Sequence, residues 1–347
     1  MNRLTSAVTG PTTETWSYDK NGNRTIDTKT GTATVYSAFN AADELCWTGP
    51  ATGSCPAPPT GAAIYAYDAN GNTTTAGTAT STYNVFDQFT SNTNTGTTTN
   101  FTYAGPRNDE RTTAGATSFL NGTLGITQQT TAGATTSFIR DPSGTLISMR
   151  DSTGASFYYT TDALGSVLLL TDSSQAAAAT YSYDSWGNTT SSGAQAATNP
   201  WTYAGGYNDT TNNRIKFGAR YYNPFRGRFT QTDPSGQESN RYLYAGANPI
   251  NASDPSGLSF GGDLFGGIVG GAVALGFGII VTVAAGPFLT PLGSALLGAS
   301  IGACVGGAIA VGAANAYDGG TSSGAQVGYG CAGGVITAIA GVLGRQP

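Results

Sequence analysis

Large apolar and small residues alternate in three segments that align without gaps: Trp16-Ser17-Tyr18-Asp19-Lys20-Asn21-Gly22-Asn23-Arg24-Thr25, Ile64-Tyr65-Ala66-Tyr67-Asp68-Ala69-Asn70-Gly71-Asn72-Thr73-Thr74 and Tyr181-Ser182-Tyr183-Asp184-Ser185-Trp186-Gly187-Asn188-Thr189-Thr190. Period-two alternation puts the aromatic rings on one face of a strand. The Asn-Gly or Trp-Gly pair supplies the positive-φ position of a tight turn, and a Thr-rich strand follows. Each segment is therefore a β-hairpin signal. Degenerate copies fill the intervals: Tyr36-Ser37-Ala38-Phe39-Asn40, Tyr83-Asn84-Val85-Phe86-Asp87 and Tyr103-Ala104-Gly105. One hairpin alone is marginal in water, so such units must stack on their neighbours. The pattern predicts a mainly β chain of stacked hairpins forming a curled sheet.

Composition supports this reading. The chain carries 50 Gly and only 10% charged residues, which on its own suggests disorder. Its 18 Tyr, 14 Phe and 4 Trp supply enough apolar area for a packed core. Net charge is −5, and the basic residues are scattered apart from Arg220, Arg226 and Arg228, so no nucleic-acid-binding surface is expected. Histidine is absent, which excludes Ser-His-Asp and Cys-His catalysis and any His-containing zinc site. No cofactor is implied. Cys46 and Cys55 bracket an eight-residue loop, and either a disulfide suited to an exported protein or two free thiols fits that spacing. Cys304 and Cys331 make no metal motif. The N-terminal residues lack the apolar run of a signal peptide.

The Tyr-Asp-x-x-Gly-Asn pattern resembles the YD repeats of RHS proteins, Tc-toxin C subunits and teneurins. That resemblance implies a spiral β-sheet enclosing a cavity, which in bacterial members holds an unfolded toxic C-terminal segment. From Tyr203 the pattern changes to Gly218-Ala219-Arg220-Tyr221-Tyr222-Asn223-Pro224, Gly227-Arg228-Phe229-Thr230-Gln231-Thr232-Asp233-Pro234-Ser235-Gly236, Tyr242-Leu243-Tyr244-Ala245 and Asp254-Pro255-Ser256-Gly257-Leu258. This run resembles the RHS repeat-associated core domain. The expected organisation is a YD-repeat shell over residues 1–161, the core over 162–258 and a variable tail over 259–347.

In the family this core is an intramolecular aspartyl protease that cuts once, after the Leu of the second such unit. Carried over, the scissile bond is Leu258–Ser259, Asp233 and Asp254 are the carboxylates, and Arg220 is the essential arginine, with Arg228 an alternative. Two carboxylates held close cannot both ionise easily, so they share a proton. One can then activate water while the other protonates the carbonyl oxygen or the leaving amine. Asp-Pro-x-Gly is also good turn chemistry by itself. Asp141-Pro142-Ser143-Gly144 is a third copy without the surrounding motif, and reads as a turn only.

The tail differs in composition. Between Asp263 and Asp318 lie 54 uncharged residues. Helices are expected at about 264–286 and 292–316, with a weaker one at 325–343; the first two are each long enough to cross a bilayer. Glycines spaced by four, as at Gly262, Gly266 and Gly270, share one helix face and allow close backbone approach. A tail without His, Glu or Lys argues against a nuclease or an ADP-ribosylating enzyme. It reads as a membrane-inserting effector or lead segment, or as a hydrophobic stretch ahead of a toxin domain. Two function classes follow. One is the C-terminal part of a secreted or cell-surface polymorphic toxin, with its own C-terminal segment as cargo, membrane contact through residues 264–343, secretion partners and an immunity protein. The other is a cell-surface adhesion protein, carbohydrate-binding and unprocessed.

Overall fold

The computed structural model describes residues 3–107 and 111–258, all within one unit, Met1–Phe260. The expected tail helices lie outside the described residues. Among the described residues no helix is long and apolar enough to cross a membrane.

Nineteen strands, β1 (Ser6–Thr9) to β19 (Thr189–Ser192), form one antiparallel sheet in which each strand pairs with its neighbours in sequence. The three repeat segments are hairpins: β2 (Thr12–Tyr18) with β3 (Arg24–Lys29), β6 (Ala63–Tyr67) with β7 (Thr73–Ala76), and β18 (Ala177–Tyr183) with β19. The chemistry of the Tyr-Asp pair is specific. The Asp19 carboxylate accepts the Asn23 backbone N–H at 2.9 Å and the Asn23 side-chain amide at 2.9 Å, while the Gly22 N–H closes on the Asp19 carbonyl. Asp68 with Asn72, and Asp184 with Asn188, repeat the arrangement. The tyrosine before the Asp ties the hairpin to an adjacent strand. Tyr183 donates to the Val167 carbonyl at 2.6 Å, and Tyr67 accepts the Leu45 N–H at 3.0 Å.

An antiparallel meander places alternate turns on the same edge of the sheet, so these turns form a row. Neighbouring turns bond to each other: Asn21 and Asn23 both donate to the Asp43 carboxylate, and Asn70 and Asn72 to that of Asp87. Asn40 and Asn84 replace the capping Asp in the intervening turns, each accepting the backbone N–H four residues on.

The sheet is curled. Trp16 on β2 and Trp186, in the turn after β18, pack edge to face with ring centroids 5.8 Å apart. In a flat sheet sixteen strand spacings would separate them by roughly 75 Å. The curl brings the first and last hairpins together through side chains; no register pair joins β1 to β19 among the described residues.

One face of the sheet carries Phe89, Phe101, Phe119, Phe138, Met149, Phe157 and Leu170, all buried. A second sheet covers part of it: β20 (Tyr207–Asp209), β21 (Arg214–Phe217), β22 (Arg220–Asn223) and β23 (Arg228–Phe229). Tyr221 of β22 packs on Phe89 at 4.9 Å, and Tyr207 packs on Phe119 at 5.5 Å. Tyr203, Phe217, Tyr222, Phe229 and Tyr244 form a further aromatic core behind this sheet. The segment after β23 then runs along the row of turns. Thr73 N–H donates to the Thr230 carbonyl, Tyr242 to the Gly71 carbonyl, Gln231 to the Asp87 carbonyl, and Asn240 to the Asn23 side chain. Gly187 is needed twice over: its φ is +88°, and a Cβ there would stand 2.4 Å from the Tyr203 ring.

Cys46 and Cys55 are joined in a disulfide, with Cα atoms 5.4 Å apart. A buried ion pair links the two sheets, Arg111 to Asp209. Arg111 also donates to the Tyr221 hydroxyl at 3.0 Å and stacks on Phe119 and Tyr207.

Two outcomes follow. Arg111→Ala strands the buried Asp209 carboxylate and should lower unfolding free energy by about 3–5 kcal/mol; an Arg111→Leu, Asp209→Asn double variant should recover most of it in urea denaturation. Acid should also loosen the turns. The Ser143, Thr153 and Ser174 hydroxyls, reinforced by backbone N–H groups, hold the Asp141, Asp151 and Asp172 carboxyls below their ordinary range. A depressed folded pKa contributes stability that is full above the unfolded value, about 3.9, and lost as pH falls through the folded one. Asn caps the equivalent turns natively, so replacing all three Asp by Asn should preserve the fold at neutral pH and flatten the decline of the urea midpoint below about pH 4.

Candidate active site

Three consequences of local sequence build this site. Arg220 opens β22, and Gly218 allows the tight hairpin from β21 that turns its side chain inward. Asp233-Pro234-Ser235-Gly236 and Asp254-Pro255-Ser256-Gly257 each form a turn closed by the Gly N–H on the Asp carbonyl, at 3.3 and 3.2 Å. Gly257 sits at φ +65°, and a Cβ there would meet the Phe217 carbonyl oxygen at 2.3 Å, so the second turn is pressed against the β21–β22 hairpin. The Ala219 N–H donates to the Ser256 carbonyl at 2.8 Å and fixes that contact.

Arg220 is 1% exposed and holds the assembly together. Its Nη2 pairs with Asp254 Oδ2 at 3.0 Å, its Nε donates to the Gly257 carbonyl at 2.5 Å, and its Nη1 donates to the Arg241 carbonyl at 3.0 Å. The guanidinium lies 3.6 Å from the centre of the Phe229 ring. Burial pulls its pKa down, while Asp254 and Asp233 act in the opposite direction. Arg228 points elsewhere, to the Asp43 carbonyl and the Tyr242 ring.

Asp254 and Asp233 are 2% and 5% exposed. Asp254 Oδ1 accepts the Leu258 N–H at 3.2 Å and the Ser256 hydroxyl at 3.1 Å. Asp233 accepts the backbone N–H groups of Ser235 and Gln237 at 2.9 and 3.1 Å. The Ser235 hydroxyl lies 2.8 and 2.7 Å from the two Asp233 carboxylate oxygens, and 2.7 Å from the carbonyl oxygen of Leu258. Leu258 is thus held at its N–H by Asp254 and at its carbonyl by Ser235. Ser259 lies outside the described residues.

Asp141 stands apart, in the exposed turn between β14 (Ala134–Arg140) and β15 (Leu146–Arg150), where it caps its own turn. Sequence reasoning passed over Ser235 and Glu238. Glu238 is the one carboxylate between the two Asp-Pro-Ser-Gly units. Burial pushes its carboxyl above the ordinary range, Asp233 and Asp254 push the same way, and Arg220 opposes them. Its position between the units was a usable signal. Ser235 had none, because Ser143 and Ser256 occupy the same place in the other two turns. Among the described residues no group of His, Cys, Asp and Glu is arranged to hold a metal.

The chain is 30% identical over 262 residues to a tRNA3(Ser)-specific nuclease WapA of Bacillus spizizenii, an alignment covering 70% of this chain and 11% of that protein. It is equally similar to the tRNA nuclease WapA of Bacillus subtilis strain 168, again with 30% identity, 70% of this chain and 11% of the relative. The chain therefore spans about a tenth of the length of these relatives. Among solved structures, the Tc holotoxin pore of Photorhabdus luminescens matches with a TM-score of 0.55 and 18% identity, over 71% of this chain and 13% of that one, a likeness of fold. The Teneurin YD-shell family model matches residues 1–251. With the hairpin repeats and the curled sheet, that match makes this chain a member of the teneurin YD-shell family.

Proposed function

We propose that this chain is the shell and core of an RHS-type polymorphic toxin that cuts itself once, between Leu258 and Ser259, and so frees its C-terminal segment. The observation that carries the reading is the grip on Leu258: Asp254 at its N–H, and Ser235, backed by Asp233, at its carbonyl. Arg220 pairs with Asp254 at 3.0 Å, and Asp254 acts as the base that takes a proton from water. Asp233 faces the carbonyl side and acts as the acid. The peptide bond to be cut belongs to the same chain, so proximity comes without substrate binding. The reaction is a single turnover and needs no histidine.

On this reading residues 1–161 are shell, 162–258 core, and 259–347 the released tail. The WapA relatives are named as nucleases; a tail with no His, Glu or Lys supports a different cargo, one that contacts membranes through residues 264–343. Export to the cell surface or beyond, secretion partners and an immunity protein that neutralises the cargo belong to the same proposal, and the shell itself has no role in nucleic-acid binding.

Full-length chain made in a cell-free system and run on a denaturing gel should resolve into two fragments, with mass spectrometry placing the new terminus at Leu258. Asp233→Asn and Asp254→Asn should leave the chain intact. Arg220→Lys keeps the charge but loses the three-way donation, and should fold yet cut at least about tenfold more slowly. A folded wild-type chain that stays whole would overturn the proposal.

A further inference from the structure

A serine hydroxyl has one hydrogen to give. Ser235 Oγ nevertheless lies within 2.8 Å of three oxygens, the two of the Asp233 carboxyl and the carbonyl oxygen of Leu258. Two of the three contacts are satisfied when Ser235 donates to Leu258 and the acid form of Asp233 donates to Ser235 from one of its oxygens. Ser143, at the same place in the isolated third turn, bonds only to its own turn, to Asp141 and Thr145. The contact with Leu258 is thus not a property of the Asp-Pro-Ser-Gly turn. It arises because the turn at Asp233 faces the one at Asp254.

Resting on the self-cleavage reading above, we infer that Ser235 is a catalytic residue, the hydroxyl that polarises the scissile carbonyl and carries the proton of Asp233 to its oxygen. The proton and electron balance divides the roles. Water attacks the Leu258 carbonyl carbon and Asp254 takes its proton. The carbonyl π pair moves onto oxygen, which receives the Ser235 proton, and Ser235 is refilled from Asp233. When the tetrahedral centre collapses, the proton returns by the same route as the carbonyl reforms. The carbon–nitrogen bond breaks, its pair stays on the Ser259 nitrogen, and that nitrogen takes the proton held by Asp254. The net change is one water added, giving the Leu258 carboxyl and the Ser259 amine. A donor already aimed at the carbonyl oxygen needs no reorganisation as charge develops there.

The test is the rate at which the 1–258 fragment appears after cell-free synthesis of the full chain. Ser235→Ala should slow cleavage by about a hundredfold, the range for loss of one oxyanion donor, while Ser235→Thr, which keeps the hydroxyl, should stay within about threefold of wild type. Ser235→Gly, equally suited to an exposed turn, serves as a second hydroxyl-free variant, and thermal melts confirm that each chain folds. Rescue by Thr is the readout that a purely structural role would not produce. If folded Ser235→Ala and Ser235→Gly cut within about threefold of wild type while Asp233→Asn does not cut, the role of Ser235 is overturned and self-cleavage stands. Equal slowing by Ala and Thr also overturns it. A folded wild-type chain that never cuts overturns both.

Discussion

A nineteen-stranded antiparallel sheet with one apolar face must cover that face, and the rest of this structure depends on how it does so. Open sheets of this length curl, split or flatten. Here the curl brings Trp16 to Trp186, and residues 203–258 pack against the inner aromatics. Because Tyr221 sits on Phe89, the strand that begins with Arg220 has its position set by the shell. The site geometry is therefore inherited from a hydrophobic constraint imposed by the repeats.

The polar row of turns does a second job. Asn23, which closes the first hairpin on Asp19, also bonds sideways to Asp43 of the next turn and to Asn240 of the segment after β23. Its side chain has a carbonyl and an amide, so it accepts from Asn240 while donating to Asp19 and Asp43. This double use gives a Thr- and Asn-rich chain its adhesion between layers without a large aliphatic core. Buried arginines stacked on aromatic rings extend the same principle inward, with Arg111 on Phe119 and Arg228 on Tyr242.

Around Leu258 the two layers of organisation meet. Gly257 allows the close approach, Arg220 binds the Asp254 carboxylate and two carbonyls, and the two Asp-Pro-Ser-Gly turns face one another across the leucine. None of these contacts is local except the turns themselves.

Local features were legible in the residues alone. Asp233, Asp254 and Arg220 stood out through the resemblance of their ordered run to the RHS core, whereas period-two alternation marked the hairpins and Gly22, Gly71 and Gly187 marked their turns. These are legible because strand pleat and turn conformation depend on residues a few positions apart. Tertiary contacts separate the favoured arginine from its alternative, since Arg220 reaches Asp254 while Arg228 turns to the Asp43 carbonyl. The tertiary structure alone separated Ser235 from Ser143, identical in local sequence, because the difference is a carbonyl 23 residues away. It also revealed the Arg111–Asp209 pair, whose partners are 98 residues apart. Contacts of that span are set by how the sheet curls, and no short sequence pattern encodes the curl.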